Sequence, residues 1–577
     1  MEEQSYTHVS PSVSRASIKR ALLTFSVGQR ILFVVSLSIA VIAALILVHD
    51  INDHFMVSVP STGGTFTEGI VGTPRFTNPL LATTDADRDI STLVYRGLMK
   101  KDTEGDLVPD LAASYSISDD GLTYTFTLAD NVFHDGTPVT TDDVLFTIKS
   151  AKDKTLKSMK HVEWEGVTPR IIDEKTITLT LKSRYAPFLE STTLGILPKH
   201  IWEKISYENW IYSDANTQKA IGTGPYKITA ISENASGIPA YYELSAFRKN
   251  RDVSPSIDTF VMRFYANEDD LVSAFKSGDV DAIGGIDPEK AVTLAKTGAH
   301  IITSPLPRVF GLFFNQSQAK VFTDSAVRSA IQAAINKQSI VQGVMNGYGE
   351  VAYGPIPQES IGSDTQVTTD TASVAKKILE KAGWKLGSDG IYTKQISKKE
   401  TRRLSFEIAT SNVPELTHAV DMIVSQLHDA GIEAIPKVYE TGSLNQDIIR
   451  PRKFQALFFG EVVGAESNLF AFWHSSQRSD PGLNITGYAN ARVDKILTTA
   501  LTTLDDDKRS ALYASFEKEI RSDIPAVFVY SPAFIYAVKD DTPGISIGHI
   551  ISPEDRFASV SSWYLMTDRV WNIFAKH

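Results

Sequence analysis

The hydrophobic pattern is dominated near its start by Ile31–Val48, ILFVVSLSIAVIAALILV, 18 residues without a charge. The run is apolar on every side, unlike the single apolar stripe of a helix that packs on a soluble core. Its length falls in the range of about 17–25 residues that spans a bilayer as a helix. Arg15, Lys19, Arg20 and Arg30 precede it, and Asp50 and Asp53 follow. The positive-inside rule therefore predicts residues 1–30 as a cytoplasmic leader and the bulk of the chain outside. A cleaved signal peptide would carry a shorter apolar run and a small-x-small site. The exit sequence HDINDHFMVSVP offers no such site, and residues 49–62 read as a polar stalk.

Beyond the stalk the pattern alternates between two periods. LTYTFTL (Leu122–Leu128) and TITLTL (Thr176–Leu181) switch between apolar residues and Thr, the signature of half-buried strands. SDDG before the first is a turn sequence, and the Thr140–Asp143 run predicts a helix start with acids where the helix dipole favours them. Val327, Ala330, Ile331, Ala334 and Ile335 form one helical face behind the capping run Thr323–Ser325. Val374, Ala375, Ile378, Leu379 and Ala382 form a second, stopped by Gly383. Leu416, Ala419, Val420, Ile423, Val424 and Leu427 form a third, stopped by Gly431 and followed by the strand-like IEAIPKV. Helices and strands so mixed indicate an α/β or α+β fold.

Composition narrows the functions. The chain has 577 residues and a formal net charge of −11, which argues against a nucleic-acid partner needing a basic face. It has no cysteine, so disulfides, thiolate metal sites, cysteine nucleophiles and a lipid on an N-terminal cysteine are all excluded. The remaining histidines show no zinc-enzyme spacing, and no nucleophile elbow occurs. GTGPYK lacks the spacing of a phosphate loop and reads as a turn into a strand. The lone His134 in HDGTP reads as a turn histidine. The acid pairs Asp119–Asp120, Asp142–Asp143 and Asp505–Asp507 read as turns and helix starts. No catalytic or metal site is expected, and no cofactor.

Taken in order, the segments resemble the family 5 extracellular solute-binding proteins, the peptide- and nickel-binding components of ABC importers. The match runs through GGTFTEGIVGTPRFTNPLL, the long run Leu93–Ile148, LGILPKHIWE, IGTGPYKI and FKSGDVDA. It continues through Phe313–Gly347, KKILEKAGW and LYASFEKEIRSDIP. The resemblance implies an α/β, two-lobed periplasmic-binding-protein-like fold of the large type II peptide-binding class, with an extra subdomain and one N-terminal transmembrane helix. Lobe one is expected over 63–304 plus 530–577, with the subdomain at about 85–215, and lobe two over 305–529. Chain crossings are expected near Ile302–Arg308 and Pro525–Ala533.

The implied function is capture of a peptide between hinged lobes for delivery to ABC permease subunits, by a monomer tethered through Ile31–Val48. A ligand that touches both lobes favours the closed state. A tethered sensor, or a binder of a nickel chelate or oligosaccharide, shares the same outline. In peptide-binding relatives a second-lobe acid holds the ligand amine after a Gly-Trp pair. Here the matching stretch is Phe458–Gln477, where Gly460 is kept, Glu461 replaces the Trp, and Glu461 or Glu466 is the candidate acid. Trp473 and His474 read either as an aromatic wall of the cleft or as packed residues. Thr83, Thr84 and Asp85 match a first-lobe loop that contacts peptide backbone. Asn315 either lines the cleft or caps local backbone.

Overall fold

The computed structural model describes residues 26–250, 254–357, 371–464, 466–540, 542 and 544–574, with the side chains of 466, 467 and 574 outside that description. Most of the expected leader, residues 1–25, lies outside the described residues. The chain forms two compact units, one made of 1–61 with 566–577 and the other of 62–565.

In the first unit a 29-residue helix, α1 (Val27–Phe55), starts behind a Ser26–Gln29 capping box and contains the whole apolar run. None of its residues is buried. The segment expected to be a polar stalk is ordered otherwise. Helix continues through Phe55, and β1 (Met56–Ser61) then pairs antiparallel with residues 566–571 near the C-terminus, from Met56 opposite Trp571 to Ser61 opposite Met566. The last residues, assigned from sequence to lobe one, thus belong to the unit of the apolar helix. The reason is local: two short extended segments satisfy each other's backbone N–H and C=O groups, which a lone stalk would leave to water.

The second unit begins with β2 (Thr65–Val71) and α2 (Asp85–Val94). A separate four-stranded antiparallel sheet follows, ordered β3 (Ala112–Ile117), β4 (Thr123–Leu128), β6 (Thr176–Leu181), β5 (Val167–Ile171), with α3 (Thr141–Lys152) between. The Thr-rich alternation behaves as its period requires. Ile177, Leu179 and Leu181 turn inward while the Thr residues between them are less buried.

The main sheet of the unit is twelve-stranded. Its strands are β2, β7 (Tyr226–Glu233), β8 (Pro239–Ala246), β9 (Thr259–Tyr265), β10 (Ala282–Gly284), β11 (His300–Pro305) and β12 (Arg308–Phe314). Further along come α4 (Ser325–Ala334), β13 (Gly349–Val351), α5 (Thr371–Lys381), β14 (Ser405–Ser411), α6 (Pro414–Asp429), β15 (Glu433–Tyr439) and β16 (Ala456–Val462). Then follow α7 (Glu466–Trp473), α8 (Asp506–Asp523) and β17 (Ala526–Val538), and β18 (Met566–Trp571) is the partner of β1. The order across the sheet is β15-β14-β16-β12-β17-β10-β2-β9-β8-β7, with β11 and β13 also paired to β17.

β17 is the element common to both halves of this sheet. It runs antiparallel to β12 at one end and to β10 and β11 at the other. Val527, Val529 and Tyr530 enter a core with α4, α5 and α6, whereas Ala526 and Phe528 enter a second with Trp473 and Phe516. Past Pro532, Phe534, Tyr536 and Val538 enter the core of Phe66, Phe260 and Trp563, and Ile535 and Ala537 a smaller one with Leu271 and Ile283. Opposite this change of core, the chain turns between β11 and β12 at Leu306–Pro307. The Leu306 N–H donates to Pro532 O at 3.0 Å, and Ser531 Oγ lies 3.0 Å from Leu306 O and 2.6 Å from Arg308 O.

Candidate functional site

The site is built around the start of α2. Thr84 is its N-cap: the Thr84 hydroxyl accepts from Asp87 N at 3.1 Å, and Asp87 Oδ2 accepts from Thr84 N at 3.0 Å. The buried Asp87 carboxylate also accepts from the backbone N–H groups of Arg75, Phe76 and Thr83. Burial alone would raise its pKa, but these four backbone donors hold it below the usual carboxylate range. Thr83, Thr84 and Asp85 are therefore an exposed, rigidly held loop, with Asp85 paired to Arg88.

Beside this loop lies a cavity of about 570 Å³. Ala82 contributes from the loop before α2, Arg88, Tyr95 and Arg96 from α2 and its continuation, and Glu554, Asp555 and Phe557 from the short helix Pro553–Ser562. Gly464 and Asn468, just beyond β16, reach it from the other side of the Leu306–Pro307 turn. The closeness of that approach explains the glycine, since a Cβ on Gly464 would lie 2.5 Å from Ile551 Cγ2.

The cavity wall is charged but internally organised. Arg96 is buried and donates to Asp110 Oδ1 at 2.9 and 2.6 Å and to Asn131 Oδ1 at 3.1 Å. Glu554 differs. Its Oε1 faces Arg88 Nε at 3.3 Å, while Oε2 is buried and, among the described residues, has no hydrogen-bond partner. Burial raises its pKa. A carboxylate with one oxygen unused, in the wall of a cavity, is suited to a cationic or hydrogen-bond-donating guest.

None of the sequence candidates is among the described residues that line this cavity, and Thr83, Thr84 and Asp85 lie only next to the lining residue Ala82. Asn315 is buried as a local cap: Nδ2 donates to Arg452 O at 3.0 Å, and Oδ1 accepts from Ser317 N and Gln318 N. Trp473 packs in the core against Phe313, Tyr488, Phe516 and Phe528, with ring centroids 5.8–6.5 Å apart. The packed alternative thus describes it, because helix α7 turns its last residue into the core under β16. His474 stacks on Phe470 at 4.2 Å and caps the turn Ser475–Gln477.

Glu461 is fully buried. On β16 it shares a face with Leu457 and Phe459, which belong to the Trp473 core, so strand alternation turns it away from the cavity. Burial pushes its carboxyl up to about 8, an effect the Trp473 indole only partly offsets. Among the described residues, neither Glu461 Oε2 nor Trp473 Nε1 completes a hydrogen bond of ordinary geometry. Glu466 begins α7, but its side chain lies outside the described residues.

Two motifs set aside as turns behave as turns. His134 is buried between loops, accepting from Gly222 N and facing Gly224 O at 3.1 Å, and burial lowers its pKa to about 4. It is neutral at neutral pH. The glycines of GTGPYK permit close backbone packing, because a Cβ on Gly222 would meet Val94 O at 2.0 Å. Among the described residues no three His, Cys, Asp or Glu side chains are grouped to hold a metal ion.

Sequence reasoning missed Arg88, Glu554, Gly464 and Asn468. The Ser552–Asp555 capping box in SPED could have located the short helix, but nothing local marks Glu554 as facing a cavity.

Residues 106–480 match the family described as bacterial extracellular solute-binding proteins, family 5 Middle. The chain is 29% identical over 490 residues to protein XP55 of Streptomyces lividans, covering 83% of this chain and 85% of that one. It is 27% identical over 528 residues to the oligopeptide-binding protein AppA of Bacillus subtilis, covering 88% and 92%. The structure of that AppA in complex with a nonapeptide superposes with a TM-score of 0.64 at 26% identity, over 88% of this chain and all of the other.

Proposed function

This chain belongs to the bacterial extracellular solute-binding proteins, family 5, and from that premise we propose that it captures peptides for an ABC importer. The ligand enters the cavity beside α2 and is enclosed by lobes that hinge about the Leu306–Pro307 turn and β17. The loaded monomer then docks on permease subunits. α1 holds it at the outer face of the membrane with its N-terminus in the cytoplasm. The protein binds without turnover.

The observation that carries this reading is the cavity of about 570 Å³, whose wall comes from both sides of that turn. Its size falls within the range of ordinary ligand sites, about 300–1,000 Å³. Gly464 and Asn468 give the second side a contact with the guest, so closure and binding reinforce each other. Glu554 supplies the acid for the peptide ammonium, the role assigned from sequence to Glu461 or Glu466. Thr83 and Thr84 stay in the proposal as rim residues that meet peptide backbone.

Native mass spectrometry of the full chain, released from detergent micelles, tests the reading by identifying what stays bound. Retained peptides are expected, and an empty protein with no thermal shift against peptide libraries would sink it. Glu554→Gln should weaken a captured peptide by about 1.5–3 kcal/mol, the worth of a hydrogen bond to a charged group. Titration calorimetry reads this, with Glu461→Gln as the control expected to leave affinity unchanged.

A further inference from the structure

The unit of the apolar helix carries a second feature at its outer end. Trp571, in β18, donates from Nε1 to Asn52 Oδ1 at 2.8 Å. Its ring stacks on Phe55 with centroids 6.2 Å apart, and Arg569 pairs with Asp53 at 3.1 Å. β1 and β18 pair over six residues, so the C-terminal strand is fastened to the turn of helix that follows the apolar run. Within this arrangement several apolar side chains remain outside any core. Trp571 is 41% exposed, Phe55 51% and Ile573 79%.

Helix geometry fixes where they stand. Ile31–Val48 has a rise of about 27 Å, close to the hydrocarbon thickness of about 30 Å. Asn52 lies four residues beyond Val48, about 6 Å further along the axis. The headgroup layer extends roughly 5–7 Å past the hydrocarbon on each side. A side chain hydrogen-bonded to Asn52 is thus at headgroup depth, the level that Trp occupies in membrane proteins because its ring is apolar and its N–H is polar.

We infer that the C-terminal strand is a second membrane contact, which seats Trp571 and Ile573 in the phospholipid headgroup layer beside the exit of α1. The inference rests on the reading of α1 as a membrane span. Its occupant is the lipid interface, as required by continuity with the span. Phe55, Trp571 and Ile573 form the apolar side of the contact. The Asn52–Trp571 hydrogen bond and the Arg569–Asp53 pair hold the strand at that level.

The native chain has no cysteine, so single-site spin labelling is direct. Ile573→Cys and Trp571→Cys are made in the full chain, labelled with a nitroxide and reconstituted in phospholipid nanodiscs. Ala40→Cys, inside the apolar run, and Ser236→Cys, on a surface turn, are the references. Collision rates with oxygen and with a water-soluble nickel chelate give the depth. The expected result is an oxygen-to-nickel ratio at 573 and 571 between the two references and several-fold above Ser236→Cys. Ile573 makes no hydrogen bond to lose, so its variant keeps the test valid if Trp571→Cys disturbs the ribbon. Labels at 573 and 571 as accessible to nickel as Ser236→Cys, with Ala40→Cys in the hydrocarbon, would overturn the second contact and leave the span standing. A water-exposed Ala40→Cys label would overturn the span, and this inference with it.

Discussion

Two buried carboxylate sites along β17, one at its Val538 end and one beside its middle, solve the same problem in opposite ways. Toward the Val538 end, Glu68 and Asp89 share Arg556, which donates to Glu68 Oε1 at 2.7 Å and to the two Asp89 oxygens at 2.7 and 2.6 Å. Tyr536 completes the group by donating to Glu68 Oε2 at 2.7 Å. Burial opposes the guanidinium charge, but the Asp89 and Glu68 charges more than offset it, so the pKa of Arg556 is raised. Near mid-strand, Glu461 lies opposite Val309 on β12 and is as deeply buried, yet among the described residues it pairs with no cation, and its carboxyl is pushed up to about 8. One site sets an arginine between its two acids, and at the other burial favours the protonated acid. A buried acid in a sequence therefore carries no fixed charge until its neighbours are known.

The contrast is broken most forcefully by Arg556→Met. It leaves two carboxylates buried without a cation and should cost about 3–5 kcal/mol in urea unfolding. A loss below about 1 kcal/mol would mean that the network is solvated or dispensable.

The next effect is in the pH dependence. Because the folded pKa of Glu461 is raised, its favourable contribution is complete below the unfolded value of 4.5 and is lost as pH rises toward about 8. At about 1.4 kcal/mol per unit, the fall is on the order of a few kcal/mol. Glu461→Gln should flatten that part of the stability curve between pH 4.5 and 8. Parallel curves for the two proteins would show Glu461 charged throughout. The smallest effect comes from Tyr536→Phe, which removes one donor from Glu68 and should cost about 1–2 kcal/mol in the same assay. A neutral result would assign Glu68 wholly to Arg556.

The fold was largely readable because its signals are local. TITLTL is a strand over its full length, and the helical faces at 327–335, 374–382 and 416–427 are helices within a few residues of their expected ends. The long apolar run is a helix, although it continues seven residues past Val48. The site was less readable because it is assembled from distant segments. Arg88 and Glu554 are 466 positions apart and meet at 3.3 Å, and no periodicity announces that. Glu461 shows how a plausible candidate goes astray. Position along the chain put it in the expected loop, whereas strand parity turned it toward Trp473. Asn315 and Trp473 were ambiguous for a related reason, since a polar cap or a packed indole reads in sequence like a ligand contact.

Pro532 sits within β17, opposite the turn where the chain passes between halves, and proline brings no N–H to the ladder. The sheet is therefore one hydrogen bond thinner at that point, while β17 itself runs on unbroken. Such a strand behaves like a leaf spring notched at mid-length. In the proposed hinging, bending would concentrate at the notch, with the pairing on either side travelling with its own half. Stiffness against the proposed opening and shutting would then be set by a handful of backbone torsions around Ser531–Ala533, far in sequence from α2 and the cavity that they would widen or narrow.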